Sequence, residues 1–358
     1  MNTSGPLIIN LDGVTLSKDE AKLLENDIIG SVILFSHNYN NIEQIATLIN
    51  DIKKIRENIL ISVDHEGGRV QRFKNDFTIL PSFGEIGHLY KDKDFAQHMS
   101  YSCGFVAGYE LSKIGVDINF SPVVDLNHFS GKLLNDRCFG NEVEMVRLLA
   151  LAYVEGSINA KILPVMKHFP GHGITDEDTH SNLITSDLAL EHIINNDLVP
   201  FIDIYKKYPI PIMTSHIKFP KVDKKVVTYS QKWLTNISKK IFSKKVCFIS
   251  DDIEMEGAKN NDALSKRVID ALNAGCNMVI ATTMLKQNVI KSNESSEYFK
   301  KYYLTQELID YCKDFCNDEI MQKLDHSYFA DYGDEAKYSK NVDEEYKTHL
   351  KFINAYKS

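Results

Sequence analysis

The sequence predicts an α/β fold, a (β/α)8 TIM-type barrel with a C-terminal helical tail. Eight short apolar runs, rich in β-branched residues and each too short for a helix, recur within the first 283 positions. Segments with helical spacing lie between most of these runs. Apolar strands that alternate with helices imply a parallel sheet covered on both faces, and a count of eight favours a closed barrel over an open, doubly wound sheet.

The first four predicted strands are short apolar runs that end in polar residues. They are 7–13 (LIINLDG), 31–38 (SVILFSHN), 59–68 (ILISVDHEGG) and 116–127 (VDINFSPVVDLN). Helices are predicted at 42–55 and 96–114, because apolar residues recur there every three or four positions. No G-x-G-x-x-G turn follows the first strand, so a dinucleotide-binding open sheet has little support.

The other four predicted strands complete the barrel. They are 162–173 (ILPVMKHFPGHG), 209–216 (PIPIMTSH), 245–252 (KVCFISDD) and 276–283 (CNMVIATT), with helices predicted at 143–158 and 188–205. From position 284 the sequence becomes polar and rich in Lys, Glu and Tyr, without a second set of strands. We therefore predict a catalytic barrel over 1–283 and a helical extension over 284–358 that packs on or beside it.

Composition and charge narrow the classes of partner. The formal net charge of -8 and the pI near 5.9 argue against a nucleic-acid-binding surface. No apolar run approaches the ~18 residues of a membrane span, and the N-terminus lacks the basic and apolar regions of a secretory signal. We expect a cytoplasmic monomer without a membrane partner, with its six cysteines as buried, reduced thiols.

Polar and ionisable side chains cluster where the predicted strands end. They are Asp12, Asp64, Glu66, Asp125, Asn127, Lys167, His168, His216, Asp251 and Asp252. A lone Asp or His at a strand end is usually a satisfied structural residue. A barrel, however, brings the C-terminal ends of its strands into one ring, and a polar cluster there predicts a small-molecule pocket.

One chemistry open to this ring is metal-dependent hydrolysis. The stretch KHFPGHGITDEDTHSN at 167–182 is rich in ionisable side chains. Its candidate ligands are His168, His172, Asp178 and His180. Imidazole and carboxylate groups suit zinc and similar ions, which activate water. His168 and His172 would share a face only on a helix, and the Pro-Gly pair between them breaks that geometry.

The second chemistry is cleavage of a glycosidic bond by a nucleophilic carboxylate and a proton donor. Asp251 suits the nucleophile because it ends the apolar strand VCFIS and is thereby fixed by a rigid element. We expect Lys167 and Arg69 to belong to a cationic ring that keeps this carboxylate ionised. Asp251 and Asp252 could each cap the following helix instead. The residues alone do not show which of the two is the nucleophile.

The proton donor has several candidates. Glu66 and Glu256 are possible, and the loop GITDEDTHSN offers His180 with Asp178 two positions before it. A His that is oriented by a carboxylate can keep a pKa near the working pH, where a general acid/base is most useful. A solvated loop histidine without a catalytic role is the competing interpretation of His180.

Several blocks of the chain match one known family. In order they are LDGVTLSKDEAKLLENDIIGSVILFSHNY, VDHEGGRVQRF, NFSPVVDLNH, NDRCFG, KHFPGHG with DTH, IMTSH and SDDIEMEGA. At these residues the sequence resembles the bacterial family 3 β-N-acetylglucosaminidases of the cytosolic, single-barrel type. The combination of KHFPGHG with Asp-Thr-His is highly specific, and the resemblance covers most of the chain.

The resemblance implies roles for individual residues. Asp251 matches the family's nucleophile, and His180 in the DTH block matches its acid/base, which is paired with Asp178. The residues implied to hold the sugar are Asp64, Arg72, Arg137, Lys167 and His168. Neither a metal nor any other cofactor is implied.

The resemblance also implies a reaction and a substrate. Enzymes of this type are retaining exo-β-N-acetylglucosaminidases, in which a covalent glycosyl-enzyme forms and water then releases N-acetylglucosamine. The implied substrate is a muropeptide, a small molecule in which N-acetylglucosamine is linked to 1,6-anhydro-N-acetylmuramic acid. The implied process is peptidoglycan recycling.

Two residues depart from the family pattern, and three competing functions stay open. Glu254 stands where the family favours a small or polar residue such as Ser, and His65 replaces a frequent Gln. Some relatives transfer the sugar to phosphate, for which a His donor is suitable because it carries no negative charge to repel the phosphate dianion. The chain could also be a metal-dependent hydrolase that uses His168, His172 and His180, or a sugar-binding protein without turnover.

Overall fold

The computed structural model of the 358-residue chain describes residues 4–128, 136–173, 183–259, 262–282, 306–313, 315, 320, 322–323 and 341–357. The strands in these ranges are β1 (Leu7–Asn10), β2 (Ile29–Leu34), β3 (Leu60–Val63), β4 (His65–Gly67), β5 (Val70–Gln71), β6 (Ile118–Asn119), β7 (Leu163–Pro164), β8 (Met166–Phe169), β9 (Ile184–Thr185), β10 (Ile212–Thr214), β11 (Ile217–Lys218), β12 (Phe248–Ser250) and β13 (Cys276–Ile280).

The α-helices in the same ranges are α1 (Lys18–Leu24), α2 (Ile42–Ile55), α3 (Phe83–His88), α4 (Lys93–Lys113), α5 (Val143–Asn159), α6 (Leu190–Asn195), α7 (Val199–Lys207), α8 (Ser238–Phe242), α9 (Leu264–Ala274), α10 (Gln306–Lys313) and α11 (Val342–Lys357). Short 3-10 turns lie at Ser36–Asn38, Val227–Tyr229 and Glu256–Ala258, and a π-helix lies at Lys232–Ile237.

A parallel barrel forms the centre of the molecule. Nine of the described strands make one sheet, in the order β7-β6-β3-β2-β1-β13-β12-β10-β8. Its neighbouring strands pair in parallel throughout. Only Val165 separates the two edge strands, β7 and β8, so together they count as one strand. The sheet is therefore a barrel of eight strands, in which β7 and β8 form the fifth. The predicted barrel is therefore confirmed.

Helix α2 shows why the segments between strands form an amphipathic layer around the barrel. The Asn41 side chain caps its first turn by accepting a hydrogen bond from the N–H of Gln44 at 2.9 Å. Its buried face consists of Ile45, Leu48, Ile49 and Ile52. Burial of each such side chain contributes about 1.5–3 kcal/mol, which fixes this face against the sheet. The helix has the bounds that the sequence predicts.

The segment predicted as one helix at 188–205 is in fact two helices, and that prediction was wrong. Helix α6 ends at Asn195, and α7 begins at Val199 with Pro200 in its first turn. Proline lacks an N–H and favours the first turn of a new helix, so it marks a start here. Between the helices, the buried side chain of Asp197 accepts a hydrogen bond from His128 Nε2 at 2.7 Å.

A small antiparallel hairpin, β4–β5, follows the third barrel strand directly and was not predicted as such. It turns at Gly67 and Gly68, whose φ angles are 104° and 54°. Positive φ at both positions favours glycine, because a side chain with a Cβ rarely adopts it. The hairpin brings Glu66 and Arg72 back over the end of the barrel, where the candidate site lies.

Two described helices belong to the predicted extension. Helix α11 packs along α4, where the Phe95 and Phe352 rings lie 5.3 Å apart and Ser102 Oγ lies 2.8 Å from His349 Nδ1. Tyr346 donates a hydrogen bond to Glu110 at 2.8 Å across the same interface. The division of the chain into a barrel and an extension stays a prediction.

The cysteines and the helices bear on the expectations of reduced thiols and of no membrane partner. The cysteines among the described residues, Cys103, Cys138, Cys247, Cys276 and Cys312, are all buried, and none of them forms a disulfide bond. Within the same ranges, every helix is too short or too polar to cross a membrane.

Candidate active site

The candidate site is a cavity of about 280 Å³ at the C-terminal ends of the barrel strands. Its polar lining includes Asp64 after β3, Arg72 after β5, and Asp251 and Asp252 after β12. The parallel barrel explains this convergence, because the C-terminal ends of all its strands lie at one face. Three predicted site residues, Asp64, Arg72 and Asp251, thus line one cavity.

Lys167 joins two carboxylates beside this cavity. Its ammonium lies 2.8 Å from Asp64 Oδ1 and 2.7 Å from Glu66 Oε1, and its side chain is only 2% exposed. Lys167 lies on strand β8, and Asp64 and Glu66 lie just after β3, so the barrel itself brings the three together. Such buried charges are tolerated because they compensate one another.

Two arginines complete this group, which we call the ion-pair cluster (Asp64, Glu66, Arg72, Arg137 and Lys167). Arg137 donates from Nε and Nη2 to the two oxygens of Glu66 at 2.9 and 2.7 Å. Arg72 donates from Nη2 to Asp64 Oδ2 at 3.1 Å. The two-point contact of Arg137 fixes the orientation of Glu66 as well as its charge.

The cluster holds its carboxylates in the ionised form. Burial raises the pKa of Glu66, but Arg137 and Lys167 outweigh this effect and lower the pKa to about 2. Burial acts in the same direction on Asp64, whose pKa is nevertheless held well below its ordinary value by Lys167 and Arg72. Because a general acid must carry a proton at working pH, Glu66 is a poor candidate for the proton donor.

His168 is held by a buried carboxylate below it. Its Nδ1 lies 2.7 Å from Asp125 Oδ2, and the backbone N–H groups of His168 and His172 also donate to Asp125. Although burial raises the pKa of Asp125, His168 and these hydrogen bonds lower it overall. The Nδ1 contact fixes the orientation of the His168 ring, so its Nε2 edge has a defined direction.

The proposed metal cluster is only partly within the described residues. The His168 and His172 rings lie 5.5 Å apart, and burial, together with His168, lowers the pKa of His172 to about 4. Among the described residues, no group of three or more His, Cys, Asp or Glu side chains could hold a metal ion. Asp178 and His180 lie outside these residues, as does the contact predicted between them.

Two carboxylates, Asp251 and Asp252, follow strand β12, and the sequence alone could not tell which of them is the nucleophile. Asp251 Oδ1 accepts a hydrogen bond from the N–H of Asp252 at 2.8 Å. Asp252 accepts from the N–H of Glu254 at 3.0 Å and from the Thr282 hydroxyl. Asp252 therefore holds together the loop at 251–255, which we call the β12 loop. Neither carboxylate caps a helix, because the N-cap residues of the following 3-10 turn and of α9 are Met255 and Ala263.

The environment of Asp252 favours its protonated form. Burial raises the pKa, the hydrogen bonds from Thr282 and from the N–H of Glu254 lower it, and the neighbouring charge of Asp251 raises it again. The net effect is a pKa of about 6. This direction is opposite to that of the carboxylates in the ion-pair cluster.

The remaining strand-end candidates have structural contacts. His216 Nε2 donates to the backbone carbonyl of Asp252 at 2.9 Å, and its Nδ1 lies 2.9 Å from the hydroxyl of Thr228. Arg69, expected near Asp251, contacts Asp136 at 3.3 Å and is half exposed. Asp12 is exposed. His216, Arg69 and Asp12 do not appear in the cavity lining.

His65, one of the two departures from the family pattern, is fully buried beneath the site. Its ring packs 5.9 Å from Phe73 and 5.7 Å from Phe77. Burial and the nearby charge of Arg72 lower the pKa of His65 to about 3, so the ring is neutral at working pH. His65 therefore packs as an apolar side chain between the hairpin and the Phe73 and Phe77 rings.

Sequence reasoning missed the apolar part of the cavity. Phe35, Phe120, Met213 and Met255 line it together with the predicted polar residues. In the sequence these side chains sit at the ends of apolar runs, and nothing distinguishes them there from core residues. Phe35, Phe120 and Met213 lie inside predicted strands and Met255 follows one, so the sequence carries no signal that separates them from the core.

Comparison with known families decides the classification. The "Glycosyl hydrolase family 3 N terminal domain" matches residues 7–311. The chain belongs to glycosyl hydrolase family 3. The resemblance to family 3 that the sequence blocks indicated is thereby confirmed.

Relatives in glycosyl hydrolase family 3 match over most of the chain. A "Beta-hexosaminidase" of Bordetella pertussis is 37% identical over 279 residues, which cover 77% of this chain and 79% of the relative. NagZ from Neisseria gonorrhoeae superposes with a TM-score of 0.78 at 28% identity, and 98% of each chain is covered. The same NagZ in complex with N-trifluoroacetyl-D-glucosamine gives a TM-score of 0.79 at 28% identity, with 99% of each chain covered.

Proposed function

We propose that this chain is a retaining exo-β-N-acetylglucosaminidase that releases N-acetylglucosamine from muropeptides in peptidoglycan recycling. Its broader class is given by its family and by its curated β-hexosaminidase relatives: the chain is a glycoside hydrolase of the β-N-acetylhexosaminidase type. To this enzyme class our proposal adds retention of configuration, a covalent intermediate and a muropeptide substrate.

One observation carries the proposal: Asp251 and Asp64 line the same small cavity, although they follow barrel strands on different sides of it. A carboxylate that can attack a sugar carbon thus faces a carboxylate that can hold sugar hydroxyls. The volume of about 280 Å³ lies near the lower end of the ~300–1,000 Å³ typical of ligand pockets, which suits one terminal sugar. A pocket for one terminal sugar favours exo-action.

In the proposed first step, Asp251 attacks the anomeric carbon while the bond to the leaving-group oxygen breaks. His180, oriented by Asp178, donates its proton to that oxygen, and a covalent glycosyl-enzyme forms. In the second step, His180 takes a proton from water, and the water oxygen displaces Asp251 from the anomeric carbon. N-acetylglucosamine leaves with its β-configuration retained. Both His180 and Asp178 lie outside the described residues.

The sugar is held, in this proposal, by the ion-pair cluster and His168. Asp64 accepts hydrogen bonds from sugar hydroxyls, and Lys167 and Arg72 keep its carboxylate ionised and oriented. Arg137 acts on the same site through its contact with Glu66, which shares Lys167 with Asp64. His168 is fixed by Asp125 for a hydrogen bond to the ligand. The substituted glucosamine bound to NagZ of N. gonorrhoeae supports a hexosamine as the ligand.

The configuration of the first product tests retention. We expect ¹H NMR of the hydrolysis of 4-nitrophenyl β-N-acetylglucosaminide to show β-N-acetylglucosamine first, followed by mutarotation. The α-anomer as first product would contradict a retaining mechanism. Repeating the reaction in phosphate buffer separates hydrolysis from transfer to phosphate, since the latter would give sugar 1-phosphate as the main product. A muropeptide substrate then tests the natural leaving group.

The role of His180 is tested by the leaving group. His180→Ala should reduce kcat/KM far more for poor leaving groups than for activated aryl glycosides, because only the former need the proton. Comparing 4-methylphenyl with 4-nitrophenyl β-N-acetylglucosaminide measures this difference directly. Equal losses on both substrates would contradict a role for His180 as general acid.

A further inference from the structure

The β12 loop (251–255) carries the proposed nucleophile and is anchored to the next strand. The N–H of Ile253 donates to the carbonyl of Ile280 at 3.0 Å, which continues the pairing with β13. The Thr282 hydroxyl donates to Asp252, which follows the nucleophile directly. One side of the loop is thus fixed by the barrel.

The other side is held by a buried ion pair that the family resemblance did not predict. Arg267 on α9 donates from Nη2 to Glu254 Oε1 at 2.9 Å and from Nη1 to the backbone carbonyl of Ile253. The side chains of Arg267 and Glu254 are only 8% and 11% exposed. One planar guanidinium therefore holds a backbone carbonyl and a side chain of the loop at once.

A short chain of hydrogen bonds connects this ion pair to the nucleophile. The N–H of Glu254 donates to Asp252 Oδ1 at 3.0 Å, and the N–H of Asp252 donates to Asp251 Oδ1 at 2.8 Å. Met255, the next residue after Glu254, lines the cavity. A displacement of Glu254 would therefore move the donor that orients Asp251.

We propose that Glu254 and Arg267 are positioning residues for the glycosylation step, and that their buried ion pair fixes the β12 loop so that Asp251 points at the anomeric carbon. The inference rests on the proposed function, since it takes Asp251 as the nucleophile. A buried ion pair gives no more stability than a well-packed apolar pair, but its fixed geometry specifies one loop conformation. Misplacement of a reacting group by about 1 Å can reduce a rate about 100-fold.

Three substitutions remove the contact in steps. Arg267→Met removes both donors and keeps most of the side-chain volume. Arg267→Lys keeps the charge and can hold either the Ile253 carbonyl or Glu254, but it lacks the planar fork. Glu254→Gln keeps an acceptor without the charge. Lys266→Met is the matched control, because Lys266 on the same helix pairs with Asp270 at the exposed surface.

The expected result is a loss of kcat/KM without a loss of sugar binding. For 4-nitrophenyl β-N-acetylglucosaminide, we expect kcat/KM to fall about 10-fold in Arg267→Met, less in Arg267→Lys and about threefold in Glu254→Gln. The inhibition constant of free N-acetylglucosamine should stay within about twofold. The kcat/KM ratio between 4-nitrophenyl and 4-methylphenyl glycosides should stay at its wild-type value, because a misplaced nucleophile slows both reactions alike.

The proposal is overturned if Arg267→Met has the same kcat/KM as Lys266→Met, or if the inhibition constant rises in step with the loss of kcat/KM. If Arg267→Met does not fold, Arg267→Lys and Glu254→Gln decide the question, and unchanged kcat/KM in both overturns it. Asp251→Ala in the same series separates the two proposals. If that variant keeps its turnover, the nucleophile assignment fails. If it is inactive while the Arg267 and Glu254 variants match the wild type, only the positioning role fails.

Discussion

The ion-pair cluster and the β12 loop hold carboxylates at the same cavity by different means. In the cluster, Asp64 and Glu66 each contact two cationic side chains. At the loop, Asp252 accepts hydrogen bonds from backbone N–H groups and from the Thr282 hydroxyl. The pKa of Glu66 is accordingly lowered to about 2, whereas that of Asp252 is raised to about 6.

The ion-pair cluster and the β12 loop therefore differ in the protonation state that they favour for their carboxylates. Direct cationic partners stabilise an ionised carboxylate even when it is buried, so the proposed sugar-binding side keeps its charge at any working pH. Hydrogen bonds from neutral groups compensate burial less completely, so protonation near neutral pH occurs on the side of the proposed nucleophile. Three substitutions test this difference between the ion-pair cluster and the β12 loop.

The largest effect is expected for Asp64→Asn in the ion-pair cluster. The substitution removes the charge that Lys167 and Arg72 contact, and it removes the charge from the two hydrogen bonds that Asp64 is proposed to make to the sugar. Since each such bond contributes about 1.5–3 kcal/mol, the loss of two predicts a fall in kcat/KM on the order of 1,000-fold. Asp117→Asn is the control, because Asp117 pairs with Lys53 at 2.9 Å just before strand β6, at the opposite end of the barrel. A loss no larger than in this control would contradict the sugar-binding role.

The next effect is on stability, in Glu66→Gln. The folded-state pKa of about 2 lies below the ordinary value of 4.5, so the contribution of Glu66 is present above about pH 5 and is lost as the pH falls toward 2. We expect Glu66→Gln to lower the free energy of unfolding by about 3 kcal/mol at pH 7, with a smaller difference at lower pH. Urea unfolding at several pH values measures it.

The Arg147–Glu144 pair provides the control for Glu66→Gln. It has the same two-point geometry, at 2.8 and 2.7 Å, but Glu144 is 57% exposed. Glu144→Gln should therefore change the free energy of unfolding by well under about 1 kcal/mol. Equal effects of the two substitutions would show that burial of the Glu66 pair adds nothing.

The smallest effect concerns Asp252, and its sign is reversed. The folded-state pKa of about 6 lies above the ordinary value of 3.8, so the folded protein binds the extra proton at pH 5 and has lost it at pH 8. Asp252 should therefore make the wild type less stable by about 1 kcal/mol as the pH rises from 5 to 8. Asp252→Asn cannot titrate, so its free energy of unfolding should lack this decrease. Parallel pH profiles of the two proteins would rule out the raised pKa.

Much of the fold could be predicted from the sequence. The eight apolar runs are long enough, and buried enough, for strand periodicity alone to define the barrel, and α2 begins and ends where its apolar spacing does. The break between α6 and α7 could not be found that way, because the apolar spacing of 188–205 continues across it. The position of Pro200 was the local signal that outweighed the periodicity.

The polar residues of the candidate site could be predicted from the sequence, but the contacts between them could not. The strand ends identified Asp64, Lys167 and Asp251, because the barrel topology brings such ends together. Which cation contacts which carboxylate depends on side-chain geometry across the barrel, which a linear sequence does not contain. The role of Arg267 was missed for the same reason, since its partner Glu254 lies 13 positions away on another element.

The role of Asp251 as nucleophile is tested most directly by the turnover of 4-nitrophenyl β-N-acetylglucosaminide. The wild type, Asp251→Ala and the control Asp12→Ala are each measured with and without EDTA. Asp12 follows another barrel strand and is exposed, so its loss should not affect the rate. With Asp251 as the nucleophile and no metal in the reaction, turnover should resist EDTA in the wild type and in Asp12→Ala and should be abolished in Asp251→Ala. Turnover that is lost to EDTA, or that persists in Asp251→Ala, would contradict this mechanism.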